Sequence, residues 1–308
     1  MEQIKFSAFS DLHYSPNTWY PDIDKRLDAV LARAKEEKVD FIIHAGDFSH
    51  RVEVCTDVID RYNRFEIPTY HTLGNHEFDS NSPAEVLAAY QMPSDSYWFD
   101  CGGFRIISVS TNACRIGGED VPYDHGNYFQ HPEERDYVEK KEMEVLREGL
   151  LTSPFPCVLF SHNDLGSSRT LRNWEEVQAI LAEARAAGKY IPLAVSGHLH
   201  HDYLRLQDGT CYFGLNSTSF DWIPIPHDFY PAALAEKYVG LRNTLMYENP
   251  VHAVVTLRED GLIDIRGMKG GFIGGIDRYR VNQADLKQNM AACVACVRDY
   301  RLILPREQ

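Results

Sequence analysis

Five short segments of this chain gather side chains of the types that ligate metal ions. They are Asp11-Leu12-His13, Gly46-Asp47, Gly74-Asn75-His76-Glu77, Ser161-His162 and Gly197-His198-Leu199-His200. Each comes at the end of an apolar run that reads as a β-strand: residues 4–9, 39–44, 67–73, 157–161 and 191–195. An open α/β sheet binds its ligands in the crevice beyond the carboxyl ends of its strands, so these are the positions where ligating side chains are useful. Glycines 46, 74 and 197 permit the sharp exits that turn a side chain into such a crevice. Singly the segments say little. An Asp-x-His arises often by chance, and a histidine after a strand is more often a hydrogen-bonded structural residue. Gly-His-x-His is stronger, because two imidazoles two residues apart in an extended segment can face one site. The five together, in order and each after a strand, point to a metal centre.

The elements that must position these residues alternate at first. Strand 4–9, helix 24–37, strand 39–44, helix 56–65 and strand 67–73 imply parallel strands joined by right-handed crossovers. Residues 104–110 and 157–161 read as further strands, separated by a loop-rich stretch and a charged helix at 132–150. An amphipathic helix over 173–187 precedes strand 191–195. Beyond Tyr203 the pattern turns to hairpins, at Asp208-Gly209 and at Glu259-Asp260-Gly261. Residues 221–250 are aromatic- and proline-rich without a period, and no linker divides the chain.

The 308 residues suffice for one large α/β domain. A net charge of −14 argues against a protein that grips long nucleic acid through its phosphates. It leaves room for a nucleotide or short phosphodiester, because bound cations can reverse the potential locally. No apolar run is long enough to span a bilayer, and the N-terminus lacks the basic and apolar regions of a signal peptide. Both set an expectation of a cytoplasmic protein. Seven cysteines cannot all pair within the chain. Cys293-x-x-Cys296 has no second such pair and reads as buried thiols on the apolar side of a helix.

The ordered set Asp11-x-His13, Gly46-Asp47, Gly74-Asn75-His76-Glu77, His162 and Gly197-His198-x-His200 resembles the calcineurin-like metallophosphoesterase superfamily. The resemblance implies an α/β fold, a four-layer α-β-β-α sandwich of two mixed sheets flanked by helices, with a dinuclear metal site at the carboxyl edge of the strands. Residues 1–216 would form the catalytic core; residues 217–308 would complete the same domain or form a cap. By position, Asp11, His13 and His200 would hold one ion, Asn75, His162 and His198 the other, and Asp47 would bridge both. Mixed nitrogen and oxygen ligands suit two divalent ions among manganese, iron, zinc and cobalt. Such a pair can share a hydroxide and clamp a phosphate for in-line attack. His76 occupies the position of the family's leaving-group histidine, a role that suits its near-neutral pKa. One departure is plain: where the family's phosphoprotein phosphatases carry Gly-Asp-x-x-Asp-Arg-Gly, this chain has Gly46-Asp47-Phe48-Ser49-His50-Arg51. The carboxylate that orients the leaving-group histidine there is absent, and sequence names no replacement.

Motif placement is most similar to the branch of cyclic-nucleotide and nucleotide-diphosphate phosphodiesterases. The expected substrate is therefore a small phosphodiester or nucleotide-type phosphate or pyrophosphate, with no extended nucleic acid and no membrane as partner; the oligomeric state is not readable. Alternatives are a phosphomonoesterase, a repair-type nuclease and a catalytically silent metal-binding scaffold. A nuclease would need a basic gripping module, and a silent scaffold would tend to lose His76 or ligands that are present here. His44 and His71 read as core, His201 as structural, and His125, His131, His227 and His252 as surface or loop. Asn163-Asp164 would meet substrate or cap a turn. Tyr14, Trp19, Tyr20, Phe78 and Trp222 are candidate pocket aromatics, although aromatics near a site are more often plain packing.

Overall fold

The computed structural model describes residues 2–15, 23–223, 226–277, 281 and 293–304. The alternating N-terminal pattern folds as β1 (Gln3–Phe9), α1 (Ile23–Glu37), β2 (Phe41–Ala45), α2 (Thr56–Asn63), β3 (Thr69–Thr72) and α3 (Pro83–Tyr90). β1, β2 and β3 are parallel neighbours, as strand–helix–strand alternation requires. β4 (Tyr97–Cys101) and β5 (Phe104–Val109) follow, then β6 (Ala113–Ile116), β7 (Glu119–Pro122) and β8 (Arg135–Tyr137). The chain continues through α4 (Lys140–Thr152), β9 (Cys157–Ser161), α5 (Trp174–Ala186), β10 (Leu193–Ser196), β11 (Tyr203–Gln207) and β12 (Thr210–Gly214). The last third holds β13 (Phe220–Trp222), α6 (Ala232–Lys237), β14 (Thr244–Met246), β15 (Ala253–Arg258), β16 (Leu262–Arg266), β17 (Met268–Lys269), β18 (Cys296–Val297) and β19 (Tyr300–Ile303).

Two six-stranded mixed sheets result, ordered β19-β16-β15-β1-β2-β3 and β11-β12-β10-β9-β5-β4. Their facing sides bury Ile4, Phe6, Phe41, Ile43, Phe104, Ile106, Val158, Phe160, Leu193 and Val195 in one core. The helices cover the outer faces. Leu27, Val30, Val58 and Val86 of α1–α3 pack with Phe9 and Ile42 of the first sheet. Leu146, Leu150, Val177 and Leu181 of α4 and α5 pack with Ile107 and Leu159 of the second. This is the four-layer α-β-β-α sandwich. Strands buried on both faces explain why residues 4–9, 41–45 and 157–161 are nearly unbroken apolar runs.

Four sequence expectations change. The charged helix begins at Lys140, not at 132, because Arg135–Tyr137 pairs with β6 as a strand. The loop-rich stretch before it is a three-stranded sheet, β7-β6-β8, turned at Gly117-Gly118. Cys293 and Cys296 are not on a helix: Cys296 starts β18, which pairs with β17. His252 is buried, 1% exposed, with Nδ1 bonded to the Pro250 carbonyl. Trp19, Tyr20 and residues 290–292 lie outside the described residues. Among the described residues no helix is long and apolar enough to cross a membrane.

Burial raises the thiols of Cys55 and Cys114 to about 11 and that of Cys211 to about 12. A raised pKa leaves each as unreactive thiol at pH 8, since the thiolate is the nucleophile. Native alkylation at pH 8, mapped by mass spectrometry, should spare these three; rapid labelling of Cys211 would contradict the packing.

Candidate metal centre

The five segments meet at one end of the two facing sheets. The strand exits are strained: Asp11, His13, Asp47, His198 and His200 all have positive φ, between 48° and 66°. Each such residue costs on the order of 1–3 kcal/mol and persists only where its surroundings over-determine it. Backbone bonds do so here, from Asp11 N to the Gly46 carbonyl (3.0 Å) and from His13 N to the Asp47 carbonyl (2.9 Å). Gly46 has φ 95°, and a Cβ there would overlap the His162 ring. At Gly74 the demand is closeness, since a Cβ would overlap Asp47 Oδ1 and lie 2.5 Å from Asp47 N.

Glu77 ties two of these turns together. Its buried carboxylate accepts the backbone N–H groups of Gly74 (2.7 Å), Asp47 (3.0 Å), Ser49 (3.3 Å) and Phe48, and the Tyr90 hydroxyl (3.2 Å). Burial and the neighbouring Asp47 charge push its pKa up to about 7, against those hydrogen bonds.

The candidate ligand atoms converge in two groups. Asp11, His13 and His200 offer atoms all within 4.8 Å of one another, as do Asp11, Asp47 and His162. His13 Nε2 and His200 Nε2 are 3.0 Å apart, and Asp11 Oδ1 is 3.2 Å from His200 Nε2. Asp47 Oδ2 lies 3.1 Å from His162 Nε2 and 3.9 Å from His13 Nε2, so its carboxylate stands between the groups. His198 Nδ1 is 3.2 Å from His162 Nε2. Asn75 lines the same cavity as Asp47, His198 and His200.

The imidazoles are oriented from behind. His162 Nδ1 donates to the Ala45 carbonyl (2.8 Å) and His200 Nδ1 to the Phe220 carbonyl (2.7 Å), leaving Nε2 of each toward the centre. His13 Nδ1 meets His50 Nε2 at 3.0 Å, and His50 Nδ1 meets Asp79 Oδ2 at 2.8 Å. Burial holds the His13 pKa well below its usual value, while the Asp47 and Asp11 carboxylates, against burial, raise His162 to about 10. Burial also works against the Asp47 carboxylate, but His162 and His76 hold its pKa well below the usual range.

Two observations fit this donor set to metal ions. Asp11 Oδ1 and Asn75 Oδ1 are buried oxygens that accept no hydrogen bond, and an unsatisfied buried polar atom costs about 1–3 kcal/mol. His13 Nε2 and His200 Nε2 face one another at 3.0 Å, and His198 Nδ1 faces His162 Nε2 at 3.2 Å. Cations between these atoms would satisfy both.

Sequence reasoning missed Asp79. His76 Nδ1 lies 2.8 Å from Asp79 Oδ2, the same oxygen that meets His50, and the Tyr128 hydroxyl donates to Asp79 Oδ1. Asp79 is therefore the partner of His76 that Gly46–Arg51 does not supply; its only sequence signal is its place three residues after His76. Burial opposes it, but His50 and His76 hold its pKa near 2, and the Asp47 and Asp79 carboxylates raise His76 to about 9. Asn163 and Asp164 serve structure: Asn163 Oδ1 accepts the Thr111 hydroxyl (2.7 Å), and Asp164 accepts Gly166 N (2.9 Å) and the Tyr203 hydroxyl (2.8 Å). His44 and His71 form a buried chain from Gly46 N to Asn63 Oδ1. Of the candidate aromatics, Trp222 lines the cavity, its ring 6.2 Å from that of His76. Phe78 is buried in the core, and Tyr14 packs against it.

The family-wide pattern of the calcineurin-like phosphoesterases matches residues 4–202, and the chain belongs to that family. This defines a phosphate-ester hydrolase of a class that generally uses two divalent metals. Among solved structures, a dimetal phosphatase from Danio rerio is similar, with TM-score 0.62 and 15% identity over 98% of this chain and 99% of that one. The anchor protein of the Plasmodium inner membrane complex is also similar, with TM-score 0.55 and 13% identity over 100% of this chain and 90% of that one. At those identities the likeness is one of fold. No curated protein sequence matches the chain.

Chelation followed by manganese reloading should raise the melting temperature by several degrees, since a ligand at 100 times its Kd adds about 2.7 kcal/mol. Asp47→Asn should lose most of that shift. Differential scanning fluorimetry checks this; equal melting with and without metal would contradict the centre.

Proposed function

We propose that the chain hydrolyses a small phosphodiester or a nucleotide-type pyrophosphate, with His76 donating a proton to the leaving oxygen. Asp11, His13 and His200 would hold one divalent ion, Asn75, His162 and His198 the second, and Asp47 would bridge them; manganese, iron, zinc and cobalt all suit these donors. Two such ions supply an acidified water and draw charge from the phosphoryl oxygens. The observation that carries the reading is a cavity of about 250 Å³ lined by Asp47, Asn75, His198 and His200, with His76 on the same surface.

The chain's own residues divide the remaining work. Asp79 accepts Nδ1–H of His76, which fixes the ring and leaves Nε2 as the proton-bearing atom at the cavity. The negative charge of Asp79 favours the imidazolium, so a proton is at hand when the ester oxygen leaves. Glu77 and Gly74 keep Asp47 in register with Asn75, and the Asp47 Oδ1 atom accepts the His76 N–H at 2.8 Å. Acidic net charge and a small cavity favour a compact phosphorylated substrate over a nucleic-acid duplex.

Aryl diesters with good and poor leaving groups test the assignment. A p-nitrophenolate leaves without protonation; an alkoxide does not. Asp79→Asn should lower kcat on an alkyl-leaving diester about 100-fold, within the span of general-acid contributions, and lower it at least tenfold less on the p-nitrophenyl ester. Equal losses on both would remove His76 from the proton-donating role. A faster rate on aryl monoesters than on diesters would assign a phosphomonoesterase instead.

A further inference from the structure

The β7-β6-β8 sheet and the helical turn Asn127–Gln130 between β7 and β8 form an arm that contributes side chains to the cavity that the metal centre does not require. Tyr128, Phe129, Arg135 and Asp136 line the cavity together with Asn75, His76, His198 and His200. The arm is anchored at its base. The Tyr128 hydroxyl donates to Asp79 and accepts from Asn75 Nδ2 (3.3 Å), and its ring stacks on Tyr123 at 4.6 Å. Asp136 takes a positive φ of 71°, held by its N–H and Oδ1 on the Tyr123 hydroxyl at 2.9 and 3.0 Å. Strain of this kind beside a reaction centre marks a position that the surroundings enforce.

Two side chains on this anchored arm stay open. Arg135 pairs with Cys114 through its backbone, but among the described residues its guanidinium meets only Asp136, at 3.5 Å from Nε, and the Tyr128 ring face at 5.9 Å. Its Nη groups hydrogen-bond to no described residue. Phe129 is 58% exposed, a large apolar ring left in water at the rim of a polar cavity. A guanidinium that shares a cavity with residues that would hold two cations is repelled by those cations unless anions lie between. The reacting phosphoryl group is one such anion. A fixed guanidinium fork matches the oxygens of a second. The volume of about 250 Å³ is below the roughly 300–1,000 Å³ that encloses a whole organic ligand. The phosphoryl groups fit inside, and the organic group must cross the rim, where Phe129 stands.

We propose that Arg135 binds the second, non-reacting phosphoryl group of a pyrophosphate-linked nucleoside, and that Phe129 packs against its base. This rests on the phosphoesterase reading above and narrows its substrate. Arg135 discriminates the pyrophosphate from a simple diester, and Phe129 adds a stacking face that tolerates any base.

The test uses the full metal-loaded chain. Hydrolysis of a nucleoside diphosphate sugar is compared with that of bis(p-nitrophenyl) phosphate, and binding of uncleavable α,β-methylene-ADP is measured by calorimetry. Arg135→Gln should cut kcat/KM on the nucleoside diphosphate sugar by about 30-fold, the worth of a charge-assisted hydrogen bond. The cut on the aryl diester should be at least tenfold smaller. Binding of α,β-methylene-ADP should weaken about as much, with partial recovery in Arg135→Lys, and Phe129→Ala should weaken it about fivefold or more. Equal losses on both substrates, or unchanged binding in Arg135→Gln or Phe129→Ala, would overturn the proposal. So would an unsubstituted protein that cleaves the aryl diester but neither binds nor cleaves the pyrophosphate compounds. Metal-dependent cleavage of neither substrate would instead sink the phosphoesterase reading itself.

Discussion

The site depends on one buried carboxylate. Glu77 is fully enclosed, yet it gathers the N–H groups of Gly74 from the turn after β3 and of Asp47, Phe48 and Ser49 from the turn after β2. Without an acceptor those donors would be stranded, at about 1–3 kcal/mol each. With it, two neighbouring strand ends are locked into one rigid corner, and Asp47 stands over Gly74 so closely that no Cβ fits between them. The proposed bridging carboxylate is thus positioned by a group that faces away from the reaction.

The same logic extends outward. Imidazoles make usable ligands only when their protons point elsewhere: His162 donates to the Ala45 carbonyl and His200 to the Phe220 carbonyl, while His13 Nδ1 meets His50 Nε2 at 3.0 Å. The last of these leads through His50 to Asp79, which also holds His76. One carboxylate therefore orients both a proposed metal ligand and the proposed proton donor, and Tyr128 ties it to the arm that carries Arg135. The proposed ligand His13, the proposed proton donor His76 and Tyr128 at the base of the arm thus share one hydrogen-bonded line through Asp79. Five residues at three strand exits keep strained φ values, held in part by the backbone bonds Asp11 N to Gly46 O and His13 N to Asp47 O.

How much of this was legible in the sequence follows from how far apart the interacting residues lie. Asp11, His13, Asp47, Asn75, His162, His198 and His200 were visible because strand ends concentrate chemistry in short contiguous motifs, and buried parallel strands advertise themselves as apolar runs. Those runs implied parallel strands with crossovers; the four-layer sandwich was implied by the family resemblance. Asp79 was not visible: an aspartate three residues past a motif is common, and its bond to His50 depends on how two turns meet. The β6–β8 arm escaped because strands of three or four residues carry no readable period, and Pro132–Asp136 looked like the start of a charged helix. The place of β15 beside β1 is a pairing between residues some 250 positions apart, which no local pattern encodes. His252 read as a surface or loop residue; it lies in a loop, but a buried one, because the residues that cover it come from elsewhere in the chain.

The central claim is that Asp47 stands between two cations held by the strand-end residues. Anomalous diffraction from manganese-loaded crystals reads this directly. The account predicts two peaks about 3.5–4 Å apart, flanking the Asp47 carboxylate, one beside Asp11, His13 and His200 and the other beside Asn75, His162 and His198. A single peak, or density displaced to His50 and Asp79, would contradict it.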